Sequence, residues 1–581
     1  MNNPKIAIFD LTGCEGCQLQ FLSFQEKFLG LFQNFDLVSW RLLQTEKIDQ
    51  IDFALVEGAV TNKKQLELLK KIRKNCQILI ALGDCAKTGN IFALVKKNQR
   101  KQLTQYVYGR KYQPISSDIQ PLDKFIKVDY KIGGCPPKSS DLEKILLTLL
   151  KKKLVEKAPT KKEKPVSEPL IRIEGHGDLK VNFQKNQAKF EVIESERLVE
   201  GLLLGKPYQV APYITSRICG ICPTVHNLTS IKAIEGALRI KISQETILLR
   251  KLLLSAQIIQ SHLIHLFFQV LPDFIQIKGP VDLAQKYPAE FHLVLNIKRT
   301  CDKLLTLVGG RPIHPTNTSF GGFLKLPQIE DLLAIKTEIL DILDEAQDLV
   351  KIFENFQFPQ IQLKTTYLAL KQEGEYAIYE GKIYSNQGQN FEPEDFQRKI
   401  RETICPSSSA KIGRLGQQSF MVGPLARLSL NQEKLNPQAK EILAKSKVKL
   451  PSFNRFDQNF AQAVEICHFL EEQINLIDQL QNLDLKKAMA MRKLPPISQT
   501  SWGIAAVEAP RGTLYHAYEI TKEGKIKNCQ IITPTVQNLS QLPKDAQILL
   551  AQTSNLPPRQ RQKFLEMLIR AYDPCITCSV H

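Results

Sequence analysis

Two short stretches decide how this sequence folds: RICGICPTVH at residues 217–226 and DPCITCSVH at residues 573–581. Each carries two cysteines three positions apart. A tight CxxC turn lets two thiolates bind one metal ion, so two such turns supply the four thiolates of a site for zinc, iron or nickel. The two pairs lie at opposite ends of a long region, and we expect the fold to bring those ends together. The four candidate ligands are Cys219, Cys222, Cys575 and Cys578.

The spacing alone also fits a structural zinc site, which needs four thiolates and no chemistry. Three further details favour a catalytic metal. A histidine follows each pair closely (His226 and His581), Arg217 stands two residues before the first pair, and the second pair lies beside the last residue of the sequence. A structural zinc ribbon requires none of these features, so zinc is kept here as the alternative to nickel or iron.

A second group of cysteines lies in the first 150 residues, within LTGCEGCQLQ, ALGDCAKTG and GGCPP. These loops are rich in glycine, which suits a cubane iron–sulfur cluster because the backbone must approach the sulfides closely and donate N–H groups to them. Cys14 and Cys17 alone would also fit a thioredoxin-type redox pair, but such a pair does not need further cysteines. We therefore predict one cluster on Cys14, Cys17, Cys85 and Cys135. The isolated cysteines are predicted to be buried small hydrophobes: Cys76, Cys301, Cys405, Cys467 and Cys529.

Residues 1–150 are predicted to form a doubly wound, flavodoxin-like α/β domain. Short apolar runs rich in β-branched residues, at 5–11, 53–60 and 77–84, alternate with loops and helical patterns. The functional loops of a parallel sheet lie at the carboxyl ends of its strands, where these cysteines fall. We expect this domain to hold the iron–sulfur cluster.

A Lys-rich segment with two prolines, residues 151–168, follows this domain and is predicted to be a linker. Residues 169–581 are predicted to form a mainly α (α+β) domain. It begins with strand-like pieces and continues with long helical patterns that imply a helix bundle. A strand and hairpin insertion is expected at 365–395. The long helices are expected at about 223–240, 244–271, 286–308, 326–356 and 457–485.

Composition excludes several classes of protein. Hydrophobic residues make up 43% of the 581 residues and charged residues 24%, as in an ordinary globular protein. Thirteen cysteines are too few for a disulfide scaffold. With no evident apolar run of about 18 residues and no secretory signal, we expect a cytoplasmic protein without a transmembrane segment. Part of the +19 net charge lies in the linker, so we expect a solvated basic surface, open to an acidic protein partner, rather than nucleic-acid binding.

The motifs resemble those of the [NiFe]-hydrogenases. The stretches at 217–226 and 573–581 are similar to the two nickel-binding motifs of the large subunit. Residues 1–150 resemble the small subunit of the cytoplasmic bidirectional group, which is sulfhydrogenase-like and cofactor-coupled. The resemblance covers nearly the whole chain and implies two subunits fused at the Lys-rich linker. Further matching motifs are RIEGHG (172–177), LVEGLLLGKPY (198–208), SHLIHLFF (261–268), GGRPIHP (309–315), VGPLARL (422–428), EAPRGTLYH (508–516) and ITPTVQNL (532–539).

The resemblance implies a role for each matching residue. Cys219, Cys222, Cys575 and Cys578 would bind nickel as thiolates. Two of them, Cys222 and Cys578, would also bridge to an iron that carries cyanide and carbonyl ligands. Arg511 would sit over the open position of the metal pair, either as an electrostatic partner or as a poised base.

Further roles implied by the resemblance lie around the metals. Thr535, which follows Pro534, would hydrogen-bond a cyanide, and Asp573 would support the arginine. Glu174 would be the proton gate, because a carboxylate in a dry site has the raised pKa that this role needs. Taken alone, this glutamate reads more simply as a surface or helix N-terminal residue. A magnesium ion would be held by Glu200, His581 and the carbonyl of Ile531.

The implied activity is the reversible oxidation of H2 to protons and electrons, which needs a Lewis acid for the hydride and a base for the proton. Electrons would leave through one [4Fe–4S] cluster to a partner such as a ferredoxin, a flavin subunit or another iron–sulfur protein, and maturation factors would assemble the centre. Two alternatives remain open. One is an H2 sensor with the same metals. The other is a non-catalytic electron-transfer module like the related respiratory complex I subunits, which lack the nickel thiolates.

Overall fold

The structure is a computed structural model that describes residues 3–24, 27–44, 47–116, 118–152, 170–275, 277–354, 356, 359–406 and 408–580. Residues 153–168 of the predicted linker at 151–168 lie outside the described residues. His581, predicted as a magnesium ligand, also lies outside them.

The N-terminal part is built on a parallel five-stranded sheet in the order β2-β1-β3-β4-β5. The central strands are mostly apolar and largely buried because helices and loops cover both faces of the sheet. This confirms the predicted parallel α/β architecture. The strands are β1 (Lys5–Asp10), β2 (Asp36–Trp40), β3 (Ile51–Glu57), β4 (Cys76–Leu82) and β5 (Tyr130–Ile132); the helices are α1 (Gly16–Leu19), α2 (Lys27–Phe32), α3 (Lys63–Asn75), α4 (Gly83–Thr88), α5 (Lys97–Tyr108) and α6 (Ser139–Leu150).

The cysteine loops leave the carboxyl ends of β1, β4 and β5, and β3 lies between the first two of these strands. Cys14 and Cys17 follow β1, Cys85 follows β4 and Cys135 follows β5. The apolar runs predict Cys85 after the third strand. Cys85 follows the fourth strand instead, because β2 is an additional edge strand that none of the predicted runs covers. Strands β1, β4 and β5 run in the same direction, so the predicted cluster loops share one edge of the sheet.

The long helices of the C-terminal part begin and end close to the predicted positions. Helix α10 packs against α12 and α17, and α13 packs against the same two helices. The hydroxyl of Ser243 caps α10 by accepting from the N–H of Thr246. The helices between residues 199 and 481 are α7 (Val199–Leu203), α8 (Ala211–Thr215), α9 (Pro223–Leu238), α10 (Gln244–Ile264), α11 (Pro280–Lys286), α12 (Pro288–Gly309), α13 (Ile329–Glu354), α14 (Phe396–Lys399), α15 (Pro424–Asn431), α16 (Pro437–Lys445) and α17 (Asp457–Gln481).

The segment Gln244–Asp273, which comprises α10 and its continuation, is long and apolar enough to cross a membrane, a stretch that the sequence analysis overlooked. Within the protein, 89% of its most apolar window is buried. Packing in the interior therefore accounts for its composition.

A three-stranded antiparallel sheet in the order β16-β17-β18 carries two of the predicted site motifs. Ala509 pairs with Gly512, so Pro510 and Arg511 form the two-residue turn between β16 and β17. The backbone of Gly512 is in the left-handed region, with φ of 127°, which glycine adopts without strain. The last elements of the chain are β16 (Ser501–Ala509), β17 (Gly512–Ile520), β18 (Ile526–Ile532), α18 (Pro534–Asn538), α19 (Leu542–Gln552), α20 (Pro558–Ala571) and α21 (Ile576–Ser579).

Shorter strands complete the C-terminal part. The expected strand and hairpin insertion at 365–395 is confirmed by β10, β11 and β12. These shorter strands are β6 (Gly177–Asn182), β7 (Gln187–Val192), β8 (Thr318–Ser319), β9 (Gly322–Phe323), β10 (Thr366–Lys371), β11 (Lys382–Ser385), β12 (Asn390–Phe391), β13 (Ile400–Ile404), β14 (Lys411–Leu415) and β15 (Phe420–Met421).

Candidate metal centre

The structure brings the two CxxC pairs together in one buried pocket. Cys219 and Cys222 precede α9, and Cys575 and Cys578 lie at α21. The Sγ atoms of Cys219 and Cys575 are 3.6 Å apart, those of Cys222 and Cys578 are 3.4 Å apart, and all four lie within 4.8 Å of one another. Four buried thiols at this spacing fit thiolate ligation of a soft or borderline metal.

The four thiols share charge unevenly. Burial acts to raise the pKa of every thiol. Hydrogen bonds from the other three thiols and the nearby charge of Arg511 nevertheless hold the pKa of Cys219 well below its ordinary value. Burial and the charge on Cys219 instead raise the pKa of Cys575 and of Cys578. The pocket therefore favours one thiolate even before a metal takes up the rest of the negative charge.

Glu174 lies directly beside these thiols, because its backbone pairs with the C-terminal motif. The N–H of Ile576 donates to its carbonyl at 2.9 Å. The Oε1 atom lies 3.0 Å from Cys219 Sγ and accepts from Thr577 Oγ1 at 2.5 Å. Complete burial, and then the adjacent Cys219, raise the pKa of Glu174 well above its ordinary value. The simpler interpretation, a surface or helix N-terminal glutamate, is wrong.

Arg511 extends from its hairpin turn toward the same pocket. Its Nη2 atom is 2.8 Å from Asp573 Oδ1, and its Nε donates to the Asp573 carbonyl at 2.8 Å. The Nη1 atom is 3.7 Å from Glu174 Oε2 and has no hydrogen-bond partner within the described part of the chain. Burial acts to lower the pKa of Arg511, but Asp573, Cys575 and Glu174 hold it well above its ordinary value. Of the two roles left open for this arginine, the raised pKa favours the electrostatic one.

A small cavity lies between the thiols and this arginine. Thr535 lines it at the start of α18, and its Oγ1 accepts from the N–H of Cys575 at 3.0 Å, which leaves the hydroxyl hydrogen available to another acceptor. Arg511 also lines the cavity, and its Nη1 atom has no hydrogen-bond partner among the described residues. The cavity is lined by Cys222, His226, Ala509, Pro510, Arg511, Leu514, Pro534, Thr535, Cys575 and Cys578.

Two histidines extend the site by a buried hydrogen-bonded chain. His226 Nε2 lies 3.5 Å from Cys578 Sγ, and its Nδ1 lies 3.3 Å from His516 Nε2. His516 in turn reaches the Tyr518 hydroxyl at 2.8 Å. These contacts fix the imidazole that faces the thiol.

His262 and His265 make buried hydrogen bonds to α17. His262 lies 2.8 Å from Glu465, and His265 lies 2.6 Å from Gln462. These contacts are those expected of structural histidines.

The four N-terminal cysteines surround a second pocket. Cys14, Cys17 and Cys85 are buried and Cys135 is partly exposed. Burial, Glu57 and then Cys135 and Cys85 all raise the pKa of Cys14, so the thiols are close enough to interact. Four thiols on separate loops suit a cubane, in which each thiolate binds a different iron.

Glycine and hydrogen-bond donors shape this second pocket. Gly83 has φ of 81°, and a Cβ at that position would lie 2.3 Å from Cys17 Sγ. Asn90 Nδ2 lies 3.3 Å from Cys135 Sγ and 3.6 Å from Cys85 Sγ. His314 Nε2 lies 3.5 Å from the sulfur of Cys14. Donors around thiolates are the usual means by which proteins tune an iron–sulfur cluster.

The two pockets are joined by a direct backbone contact. The N–H of Gly220, which lies between Cys219 and Cys222, donates to the carbonyl of Cys14 at 2.6 Å. A Cβ on Gly220 would lie 2.3 Å from the nitrogen of Gly16 and 2.4 Å from its Cα. Only glycine allows the two loops to approach this closely.

The predicted magnesium ligands are brought together only in part. Glu200 Oε1 accepts from the N–H of Ile531 at 2.7 Å. Its Oε2 lies 3.1 Å from the ammonium of Lys411, which is buried and also ion-paired with Glu402. The sequence analysis did not identify this lysine, because a single lysine in a strand pattern carries no signal of a buried ion pair.

Other functional candidates were also missed. Thr577 donates to Glu174, and its position inside the second CxxC is the only signal that the sequence offered. His314 lies in a matching motif, GGRPIHP, whose contact with the first cysteine loop cannot be read from either segment alone.

Comparison with known proteins identifies the family. The model of nickel-dependent hydrogenases matches residues 197–292 and 371–581, which is more than half of the chain. The chain belongs to the nickel-dependent hydrogenase family. Residues 14–149 match a second family, described as the NADH ubiquinone oxidoreductase 20 kDa subunit. Matches to both families in one chain bear out the resemblance to hydrogenase small and large subunits.

Individual relatives agree with this assignment. Sulfhydrogenase 1 subunit alpha of Pyrococcus furiosus is 32% identical over 421 residues, which cover 71% of this chain and 96% of that subunit. The NAD-reducing hydrogenase HoxS subunit beta of Cupriavidus necator is 26% identical, over 72% of this chain and 94% of that subunit. A solved NAD+-reducing [NiFe]-hydrogenase in the H2-reduced state shares the fold, with a TM-score of 0.62 at 24% identity over 71% of this chain and 98% of that one.

Family membership makes this hydrogenase an oxidoreductase that acts on H2, and it implies a nickel–iron centre and an iron–sulfur cluster. The C-terminal thiols fit such a centre by their number, burial and spacing. Four thiolates alone would fit zinc equally well. Glu174 and Arg511, which a structural zinc site does not need, stand beside them.

Proposed function

We propose that this hydrogenase catalyses the reversible oxidation of H2 to protons and electrons by heterolytic cleavage. The observation that carries the proposal is the position of the buried Glu174 carboxylate, 3.0 Å from a thiol of the four-cysteine pocket and 3.7 Å from Arg511. A base, a cation and four soft ligands in one dry pocket are the groups that splitting H2 requires.

The cysteines would hold the metals. Cys219, Cys222, Cys575 and Cys578 would bind nickel, and Cys222 and Cys578, whose sulfurs line the cavity, would also bind iron. When bound, the nickel–iron pair supplies the Lewis acid that polarises H2. The cavity would house the cyanide and carbonyl ligands of the iron.

Polar side chains at the edge of the cavity would act on those ligands. Thr535 and the unpartnered Nη1 of Arg511 are the donors available to a cyanide. Pro534 begins α18 and fixes the approach of the threonine.

Glu174 would accept the proton and pass it on. Burial raises its pKa, so the carboxylate takes up a proton more readily than an exposed glutamate would. Thr577 donates to Glu174 Oε1, the oxygen that lies beside Cys219 Sγ, and would hold the carboxylate against the thiols. Arg511 would stay charged and stabilise negative charge that develops beside it.

Electrons would leave by the contact between the two pockets. The hydrogen bond from Gly220 to the Cys14 carbonyl gives a short path from the nickel loop to a [4Fe–4S] cluster on Cys14, Cys17, Cys85 and Cys135. A partner electron carrier would then accept the electrons, and maturation factors would assemble the metal centre.

The magnesium site is a further proposal. Glu200 lies against Ile531, whose carbonyl would be a second oxygen ligand. Lys411 already places a positive charge on this carboxylate, so a magnesium ion would share it with an ammonium group. Elemental analysis tests this: one magnesium per chain is expected, and its absence from nickel-loaded protein would contradict the proposal.

The domain organisation is also proposed. We take 1–150 and 169–581 as a fused small and large subunit joined at 151–168. The strand order β2-β1-β3-β4-β5 supports a flavodoxin-like first domain, and the mutual packing of α10, α12, α13 and α17 supports a helix bundle in the second. A cytoplasmic location stays a prediction.

Infrared spectroscopy of the purified, nickel-loaded chain tests the proposed function. Bound cyanide and carbonyl have stretching bands in a region free of protein absorption, and we expect both. Zinc in the four-thiol pocket without nickel would overturn the proposal. Rapid H2-dependent reduction of an artificial dye would distinguish an enzyme from an H2 sensor, which binds H2 but turns over slowly.

A further inference from the structure

One predicted cluster ligand reaches the surface. Cys14, Cys17 and Cys85 are buried, whereas Cys135 is partly exposed. Electron transfer between proteins requires the carrier to come close to the cluster, and Cys135 marks the edge of this pocket nearest to solvent. We call the surface around it the Cys135 face, made of Lys87, Cys135, Lys138, Tyr213 and Arg311.

Positive charge surrounds this exposed edge. Arg311 Nη2 donates to the Cys135 carbonyl at 2.7 Å. Lys87 is exposed, with its ammonium beside Gly133, and Lys138 is exposed three residues after the cysteine. Asp84 places a carboxylate against this loop, where it accepts from the N–H of Gly134 at 2.8 Å. The face is therefore net positive.

An aromatic side chain stands at the margin of the same face. Tyr213 is 53% exposed although it lies beside charged residues. The guanidinium of Arg217 stacks on its ring at 3.4 Å, and Tyr213 also acts electrostatically on Arg311. Exposed tyrosine held rigid by stacking, with arginine next to it, is the composition typical of an interface anchor.

We propose that an acidic electron-carrier protein docks on the Cys135 face, with Tyr213 as its apolar anchor. The proposal rests on the proposed function, since it needs electrons to reach the cluster. Complementary charge steers such transient encounters and raises their association rate, and the effect weakens as salt screens it. A polar, charged face suits a carrier that binds and leaves rapidly, because the interfaces of permanent subunits are larger and more hydrophobic.

The test uses the full-length, metal-loaded hydrogenase with H2 as the electron donor. A small acidic [2Fe–2S] ferredoxin and basic cytochrome c serve as electron acceptors, at ionic strengths from about 0.01 to 1 M. We expect the rate constant for ferredoxin reduction to fall at least about tenfold as the ionic strength rises over this range. At low salt, the rate constant for cytochrome c reduction should be lower than that for ferredoxin. A ferredoxin rate that is independent of salt, or a preference for cytochrome c at low salt, would overturn the proposal.

Single substitutions locate the surface. Lys87→Glu and Lys138→Glu should each lower the ferredoxin rate constant by about fivefold to tenfold at low salt, and Tyr213→Ala should raise the KM for ferredoxin. Lys440→Glu, on α16, is the matched control and should change nothing. Equal rates in all four variants would refute the assignment of the face.

Hydrogen–deuterium exchange between H2 and heavy water provides the independent measurement, because it occurs at the nickel pocket and needs no carrier. It should stay unchanged in every variant. Normal exchange with salt-independent ferredoxin rates rejects the docking face alone. A wild-type chain that exchanges no isotope refutes the proposed function, and the docking proposal with it.

Discussion

Replacing Asn90 should lower the midpoint potential of the iron–sulfur cluster. Its side-chain amide lies 3.3 Å from Cys135 Sγ and 3.6 Å from Cys85 Sγ, so it donates toward two of the predicted ligands. A reduced cluster carries one more negative charge than an oxidised one, and N–H donors stabilise the reduced form more. Removing the amide therefore favours the oxidised form.

The choice of substitution follows from the backbone. Asn90 has φ of 50°, in the left-handed region, where alanine would be strained and glycine is not. Asn90→Gly thus removes the amide without backbone strain. A hydrogen bond contributes about 0.5–1.5 kcal/mol net, and about 59 mV corresponds to a tenfold change, or about 1.4 kcal/mol, in a one-electron couple. We expect a potential lower by about 20–65 mV.

A redox titration followed by electron paramagnetic resonance measures this shift. Asn90→Asp, which keeps the shape and replaces the donor by a carboxylate oxygen, should lower the potential further than Asn90→Gly. The matched control is Asn186→Gly, since Asn186 is also an asparagine with positive φ, in the turn between β6 and β7. An unchanged or higher potential in Asn90→Gly would show that the amide does not act on the cluster.

Three further substitutions test the site and the fold. Glu174→Gln keeps the shape of the carboxylate but cannot carry a proton, so H2 turnover should fall by about 10²- to 10⁴-fold while the nickel content by elemental analysis is unchanged; unchanged turnover would rule out the proton gate. Gly220→Ala should lower the thermal midpoint and slow electron transfer to the cluster, since its methyl would meet the backbone of Gly16; Gly236→Ala, with open space around it, is the control. Burial lowers the pKa of His468 to about 4, below its ordinary 6.5, so its contribution to stability is complete above pH 6.5 and is lost as the pH falls toward 4. His468→Gln should remove about 3 kcal/mol of that pH dependence, measured by thermal midpoints across this range, and an unaltered slope would contradict it.

Local patterns were sufficient to predict most of the fold. The apolar periodicity of α13 places this helix within a few residues of its observed ends, because it buries one continuous face. Helix α17 was also placed within a few residues of its ends, although its first half is buried on all sides. Strand β2 was missed, since DLVSW is short and its neighbours carry no turn signal. The apolar helix α10 was not recognised as long enough to cross a membrane because its polar residues are spaced along it and buried by pairing.

The candidate site was predictable where one residue type carries one chemistry. Cysteine spacing identified both sets of thiols, because few other roles need two thiolates in a tight turn. The contacts of Thr577, His314 and Lys411 depend instead on which segments meet in space. No local pattern encodes the 2.6 Å contact between Gly220 and Cys14, which only the packing of the two parts creates.

The N-terminal part also positions Glu174, the proposed proton gate. Arg41, from the loop after β2, donates to the carbonyls of Ile173 and Gly175 on either side of Glu174, at 3.2 and 2.6 Å. Glu15, from the first cysteine loop, accepts from the N–H of Gly175 at 2.9 Å.

The segment that carries the proposed proton gate is thus bonded to the domain that would carry the electrons. Separation of the two parts would break these three hydrogen bonds, each of which involves a charged side chain and contributes about 1.5–3 kcal/mol, while Arg41 would keep its ion pairs with Asp10 and Glu15. Joining both parts in one chain raises their effective concentration, so the interface forms without a second binding event. The geometry that would couple proton and electron release is therefore built by folding a single polypeptide.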